Sequence, residues 1–358
     1  MKNLDLQQVI DGIVPVSAEF EEKATEHAKA LAMPTWALGK LLDLGVKLAG
    51  IQQTLDLDVS KKRIYTFAGD HGVADEGVSA YPQVVTLEMA KNIVNGGAGV
   101  NVLGRASGAE VQLVDMGMKG DFPHLVEEGK IIDAKLGYGT NNMRIGPAMT
   151  REQAIAGLEA GIRVATKAIK EDGVKLLGTG DLGIGNTTPS AAILAVIGGY
   201  KVDDITGRGT GVDDTGLINK IKVIEDAIAL NKPNPKDGVD VLAKVGGFEI
   251  AGIAGLILGA AYNQVPVVVD GFISTAGALI AKSVCPASVA YMIPSHRSQE
   301  PGHIKMLETL GLEPIIDLDF RLGEGTGGAM TMHVVESAVR IMCDMLTFEQ
   351  AQVSDNLS

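Results

Sequence analysis

The chain is poor in several residue types. Of its 358 residues two are cysteine, one is tryptophan, and the aromatics together make up 4%. Two cysteines, Cys285 and Cys343, build no disulfide framework, so a reducing, cytoplasmic setting is expected, with both thiols as small buried groups. Scarce aromatics leave the core to aliphatic side chains. Basic residues are outnumbered, 31 against 44 acidic, for a net charge of −13. That balance argues against nucleic acid as a partner, because binding to it runs on Lys and Arg contacts to phosphate. No apolar run reaches the roughly 20 residues of a membrane span. The strongest, 250–262, is short, and Asn263, Gln264 and Pro266 interrupt its continuation. The opening MKNLDLQQVI mixes charge with apolar residues, so neither an export signal nor membrane attachment is expected. The six histidines form no H-E-x-x-H and have no paired cysteines, so no metal site is expected.

What the chain has in quantity is glycine, 45 residues, with a hydrophobic content of 46%. That apolar content excludes a disordered chain. The glycines punctuate an alternation. Short aliphatic runs at 63–68, 110–115, 174–177, 265–270, 288–293 and 313–318 read as strands. Helical stretches lie between them, at 86–106, 151–171, 189–197, 214–230, 248–262, 275–283 and 301–310, and a last long one spans about 326–346. This predicts an α/β fold, a doubly wound, mostly parallel, Rossmann-like sheet with helices on both faces. The first fifty residues read as helical, broken at Pro34, and join the C-terminal helices in a small helical domain. The expected division is 1–60 for the N-terminal helical segment, 61–325 for the α/β domain with the active site, and 326–358 for the C-terminal helix and tail.

In such sheets ligands bind beyond the carboxyl ends of the strands. The loops there read GDHGVADEG, GTGDLGIGNTTPS, GRGTGVDDTG, DGFIS, PSHRSQEPG and RLGEGTGG. Two contain G-x-G-x-x-G, at Gly178–Gly180–Gly183 and Gly323–Gly325–Gly328. Glycine lets backbone N–H groups approach a phosphate, and a helix N-terminus adds its dipole. In the first loop the helix is expected late, with Thr188 as cap and Pro189 at the first helical position. That spacing suits a mononucleotide phosphate better than a dinucleotide, and an NAD-dependent oxidoreductase is the remote alternative. Asp70 and His71 end the first strand, either as acid, base or metal ligands or as a capping aspartate beside a hydrogen-bonded histidine. Glu324 stands alone among glycines. A carboxylate in a confined pocket is a general base near neutrality, whereas an exposed loop glutamate is not. Lys220 either reaches a phosphate or lies on a solvated helix face. Asp270 ends the most apolar strand, facing a ligand or capping the next helix.

The segments GDHGV, GIGNTTPSAA, NPKDGVDVLAKVGGFEIAGIAG, DGFIS, PSH and RLGEGTG, in this order, closely resemble the nicotinate-nucleotide–dimethylbenzimidazole phosphoribosyltransferase family over nearly the whole chain. The resemblance implies transfer of the phosphoribosyl group of nicotinate mononucleotide to a lower-ligand base of cobamides, giving an α-ribosyl nucleotide and nicotinate. It implies a dimer, of identical or different chains, and no cofactor. Glu324 matches the family's catalytic glutamate. The nucleotide's phosphate and ribose map onto Asp181, Gly183, Asn186, Thr187, Gly209, Lys220, Ser295 and Ser298. The acceptor pocket maps onto Tyr81, Glu88, Met89 and Leu322. Departures from the family pattern fall at Asp181, commonly glutamate, at Tyr81, where some members carry serine, and at Met89, where they carry glutamine. These leave a phenol or purine acceptor, with a second homologous subunit, as the alternative to dimethylbenzimidazole.

Overall fold

A computed structural model describes residues 5–354. Six parallel strands form one sheet: β1 (Lys62–Gly69), β2 (Ala109–Gly117), β3 (Ile131–Asp133), β4 (Leu176–Leu182), β5 (Val267–Val269) and β6 (Met292–Pro294). Their order is β3-β2-β1-β4-β5-β6. The chain winds outward in one direction from β1 and then in the other from β4. The β1–β4 boundary is therefore the switch point where a crevice opens in a doubly wound sheet.

Side-chain alternation builds two cores. Tyr65 and Phe67 of β1, Val114 and Met116 of β2, and Val267 and Val269 of β5 enter one hydrophobic cluster. Ile64 and Ala68, Leu113, and Val268 enter the other. Both faces are thus sealed from water, which is why these strands read as continuous apolar runs. On the first face the helix Phe248–Tyr262 crosses the helix Arg151–Lys170 at very close range. A Cβ on Gly161 would lie 2.0 Å from the Gly252 carbonyl oxygen, and one on Gly255 2.0 Å from that of Leu158. On the second face the helices Ala18–Ala30, Lys40–Gln52 and Thr326–Asp344 pack together and onto the sheet. An antiparallel bridge between Leu31 and Thr347, and a His27 Nε2 contact of 2.8 Å to the Met342 carbonyl, tie the two ends of the chain.

Several elements differ from the sequence reading. The stretch 86–106 is two helices, Val84–Val94 and Gly99–Ser107, broken at Gly96 with φ 78°. β4 runs on through Thr179 to Leu182, so the first glycine pattern is mostly strand; its parallel pairing to β1 extends to Ala68–Leu182. Residues 313–318 form no strand beyond a single bridge of Ile316 to His296. Much of 288–293 is a 3-10 turn leading into β6. The sequence reading contains neither β3 nor the helix Gly238–Val245. The latter is capped by Asp237, whose Oδ1 accepts from the amides of Val239 and Asp240, both at 3.1 Å. The helix expected to start after Thr188 starts at Thr187, with Asn186 at its N-cap. Cys285 is buried, but Cys343 is exposed on the outer side of the last long helix. No helix among the described residues is long and apolar enough to cross a membrane.

Candidate active site

The loops beyond β1, β4, β5 and β6 converge on a cavity of about 310 Å³, lined in part by Asp181, Asn186, Thr187, Gly209, Phe272 and Ser298. Two helices point their N-termini at it. Thr187–Gly198 begins at Asn186, and Phe272–Val284 begins at Gly271; neither first turn has a side-chain cap. The Thr187 amide, the start of the second helix and the two helix dipoles make this end of the cavity receptive to an anion; Thr188 already donates to the Gly185 carbonyl at 3.0 Å, and Pro189 has no N–H. Asn186 leaves its helix uncapped because its amide is committed elsewhere, donating to Asp181 Oδ2 at 2.9 Å. Asp181 Oδ1 is buried without a partner and faces the region where Gly323 passes. Burial, with Asp270 adding repulsion, raises the Asp181 carboxyl well above the usual range.

Lys220, on the helix Asp214–Asn231, is fully buried and reaches the back of this anion-receptive end. Its Nζ donates to Thr187 Oγ1 at 2.7 Å and to the Gly207 carbonyl at 3.2 Å. Gly209, at φ 52°, passes so close that a Cβ there would lie 2.7 Å from Thr187 Oγ1 and 3.1 Å from Lys220 Nζ. Desolvation lowers the Lys220 pKa from the usual 10.5 to about 8, with Glu300 pulling the other way. Glu300 Oε1 accepts from the Gly209 amide at 3.1 Å, while its Oε2 is buried without a partner.

Glu324 sits on a segment bent into a rare conformation. Gly323, Glu324 and Gly325 have φ of 82°, 64° and 106°. For a glutamate that left-handed backbone is unfavourable, and it persists only where the surroundings impose it. They do so from several sides. Thr66 Oγ1 donates to the Glu324 carbonyl at 2.8 Å. Asp270 accepts from the Gly325 amide at 3.1 Å and the Gly328 amide at 2.9 Å. Gly180 of β4 lies so close that its Cβ would be 2.2 Å from the Glu324 carbonyl oxygen. The carboxylate itself is nearly buried, and its Oε2 accepts from Val100 N at 3.2 Å. Burial raises its pKa above the usual carboxylate range, and the Val100 and Gly99 amides offset only part of that. Beside it lies a second, more apolar groove of about 660 Å³, walled by Gly99, Val102, Leu103, Phe320 and Leu322. Leu322 borders both spaces. Glu324 is thus a buried carboxylate flanked by Gly323, which lines the polar cavity, and by Gly99 and Thr326, which wall the apolar groove.

A phosphoribosyltransferase family model matches residues 13–353. The nicotinate-nucleotide–dimethylbenzimidazole phosphoribosyltransferase of Syntrophotalea carbinolica is 52% identical over 349 residues, covering 98% of each chain. The protein of that name from Geobacter sulfurreducens is 51% identical over 350 residues, again covering 98% of each. The crystal structure of the Thermus thermophilus enzyme of that name superposes with a TM-score of 0.89 at 38% identity, over 95% of this chain and 100% of that one. The chain belongs to the nicotinate-nucleotide–dimethylbenzimidazole phosphoribosyltransferase family.

Set against the residues that the family resemblance implied, the phosphoribosyltransferase fold gathers most of them. Asp181, Asn186, Thr187, Gly209, Ser298, Tyr81 and Leu322 line the polar cavity, and Lys220 closes its back. Gly183 packs instead of lining: a Cβ there would lie 2.2 Å from the Gly69 carbonyl oxygen. Ser295 is buried behind the wall, its Oγ 2.9 Å from His296 Nδ1. Glu88 and Met89 line neither space. Thr86, Ala90 and Ile93 are the buried face of their helix, and Thr86 Oγ1 accepts from the Ile184 amide at 3.1 Å. At about 100° per residue Glu88 turns to the opposite, exposed side, while Met89 flanks the buried face and packs against the second hydrophobic cluster. Asp70 and His71 serve the scaffold, Asp70 Oδ2 accepting from the Lys119 amide at 2.8 Å and His71 meeting Glu249 at 2.8 Å. Asp270 caps a helix, but the one at 326–344 and not its sequence neighbour. The sequence reading misses Glu300 and His296. Neither has a local pattern that marks it, because loops distant in sequence bring them to the cavity.

Proposed function

We propose that this chain transfers the phosphoribosyl group of nicotinate mononucleotide to an aromatic lower-ligand base, 5,6-dimethylbenzimidazole or a close relative, forming an α-ribosyl nucleotide and nicotinate. The observation that carries the reading is Glu324, a buried carboxylate of raised pKa held between the polar cavity and the apolar groove. The phosphate rests on the first-turn amides at Thr187 and Phe272, with Lys220 behind Thr187. The unpartnered oxygens of Asp181 and Glu300 are acceptors for ribose hydroxyls. The acceptor base lies in the groove against Leu322, its reactive N–H directed at Glu324. The lone pair of its other ring nitrogen attacks ribose C1′ from the face opposite nicotinate. The C1′–N bond to nicotinate breaks, its electrons neutralise the pyridinium nitrogen, and Glu324 takes the proton from the N–H, which leaves the new base neutral. Inversion at C1′ gives the α configuration. The leaving group needs no acid, so positioning and one base supply the catalysis. The chain acts in the cytoplasm as a dimer. Val102 and Leu322, 51% and 61% exposed at the groove, suit coverage by a second chain.

Replacing Glu324 with Gln tests the assignment. The amide keeps the hydrogen bond from Val100 and removes the base. Turnover should fall by about 10²–10⁴-fold with nicotinate mononucleotide affinity retained. A variant with full turnover would remove Glu324 from the mechanism. Product analysis with dimethylbenzimidazole, adenine and phenol offered together identifies the acceptor.

A further inference from the structure

Outside this site a cavity of about 600 Å³ lies at the other end of the sheet. It opens between the β2–β3 edge and the C-terminal half of the helix Arg151–Lys170, near the start of β1. Its floor is apolar, with Ile132, Ala134 and Ile162. Its rim carries four cations, Arg63, Arg163, Lys167 and Lys170, against two carboxylates, Asp133 and Asp172, a basic excess in a chain of net charge −13. Arg163, Lys167 and Lys170 recur at helical spacing on one exposed face. Among the described residues, none of their side chains makes a hydrogen bond or ion pair. By contrast, Arg63, also at the rim, is held by Glu110 and Asp172. Lys167 and Lys170 lie in the last turn, where they offset the negative end of the helix dipole. Arg163 lies more than a turn inside and has no such role.

The cavity also presents acceptors. Gln112 donates its amide nitrogen to the Lys130 carbonyl at 2.8 Å, which leaves its side-chain oxygen free. Asn263 donates to the Gly259 carbonyl at 2.8 Å and to Thr166 Oγ1 at 3.2 Å, which leaves its own oxygen free. An occupant that fits has an anionic group for the rim, a flat apolar body for the floor and an N–H donor for these two amide oxygens. We infer that this cavity is a second ligand site, separate from the reaction centre, for an aromatic phosphate monoester bearing an exocyclic amine. A phosphate monoester carries up to two charges and suits adjacent cations better than a lone carboxylate does. The inference is independent of the reaction assigned to the other end of the sheet.

Adenosine 5′-monophosphate is the probe, titrated calorimetrically into the whole protein, with hydrogen exchange to locate it. Binding should protect 129–134 and 160–170 from exchange. The Arg163→Glu/Lys167→Glu double variant changes exposed side chains only. It should weaken binding at least tenfold while kcat/KM with nicotinate mononucleotide stays within twofold. Inosine 5′-monophosphate, without the amine, should bind at least threefold more weakly, and inorganic phosphate more weakly still. Protection confined to the loops around Asp181 and Gly209, unchanged affinity in the double variant, or phosphate binding as well as the nucleotide would each overturn the inference.

Discussion

Replacing Lys220 with Met separates binding from stability in opposite directions. The lysine is fully buried, and its pKa falls from 10.5 to about 8. At about 1.4 kcal/mol per pH unit, holding that charge in place costs the unliganded protein about 3 kcal/mol. Methionine has similar length and no charge. It forfeits the hydrogen bonds to Thr187 Oγ1 and the Gly207 carbonyl, which costs about 1–2 kcal/mol where an acceptor is left buried. The net expectation is a variant more stable than the parent at pH 7 by about 1–2 kcal/mol. Nucleotide binding should suffer, because a charge-assisted bond to phosphate contributes about 1.5–3 kcal/mol, or about 10- to 150-fold in Kd. The stability gain should fade with pH. The unfolded lysine keeps its proton up to about 10.5 and the folded one releases it near 8. Between those values the unfolded chain binds more protons, so the parent gains stability as pH rises and overtakes the variant's lead. Denaturant unfolding at pH 7 and pH 10, with calorimetric titration of nicotinate mononucleotide, reads both effects. Affinity within twofold of the parent, or a variant destabilised at pH 7, would refute the reasoning.

Three further outcomes follow from the same geometry. Gly180→Ala places a methyl 2.2 Å from the Glu324 carbonyl; it should cost about 1–3 kcal/mol in unfolding free energy and abolish most turnover by displacing the base, so an active variant would show that the left-handed segment is not needed. The pH profile of kcat/KM should have an acid limb above the usual glutamate range, where raised-pKa Glu324 becomes protonated and stops acting as base, and an alkaline limb near 8 from Lys220; the alkaline limb should vanish in Lys220→Met, and its persistence would assign it elsewhere. Asp270→Asn loses one of two carboxylate acceptors for the Gly325 and Gly328 amides; it should lower kcat more than it changes nucleotide KM, and the reverse pattern would place Asp270 in nucleotide binding.

Much of this protein is written locally. Aliphatic alternation and helical spacing are properties of neighbouring residues, and they are enough for the doubly wound sheet, the helices at 151–170 and 248–262, and the last long helix. Glu324 is visible because two flanking glycines permit the backbone its position requires. The errors also have local causes. Gly96 breaks a helix that apolar spacing alone would continue, and the aliphatic run at 313–318 meets the segment after β6 through only the single Ile316–His296 bridge, too little for a strand. What the tertiary structure alone decided are the contacts that hold and bury Glu324. Thr66 holds it from 258 residues away and Asp270 holds the following amides from 55 and 58 away. Its raised pKa comes from burial that no local pattern records. The same holds for Lys220, whose spacing suits a solvated face and whose burial beneath Thr187 and Gly209 depends on three separate segments meeting. Hydrophobic periodicity tells each segment which face to bury, but desolvation, and with it the chemistry of the buried acids and lysine, depends on what the other segments bring.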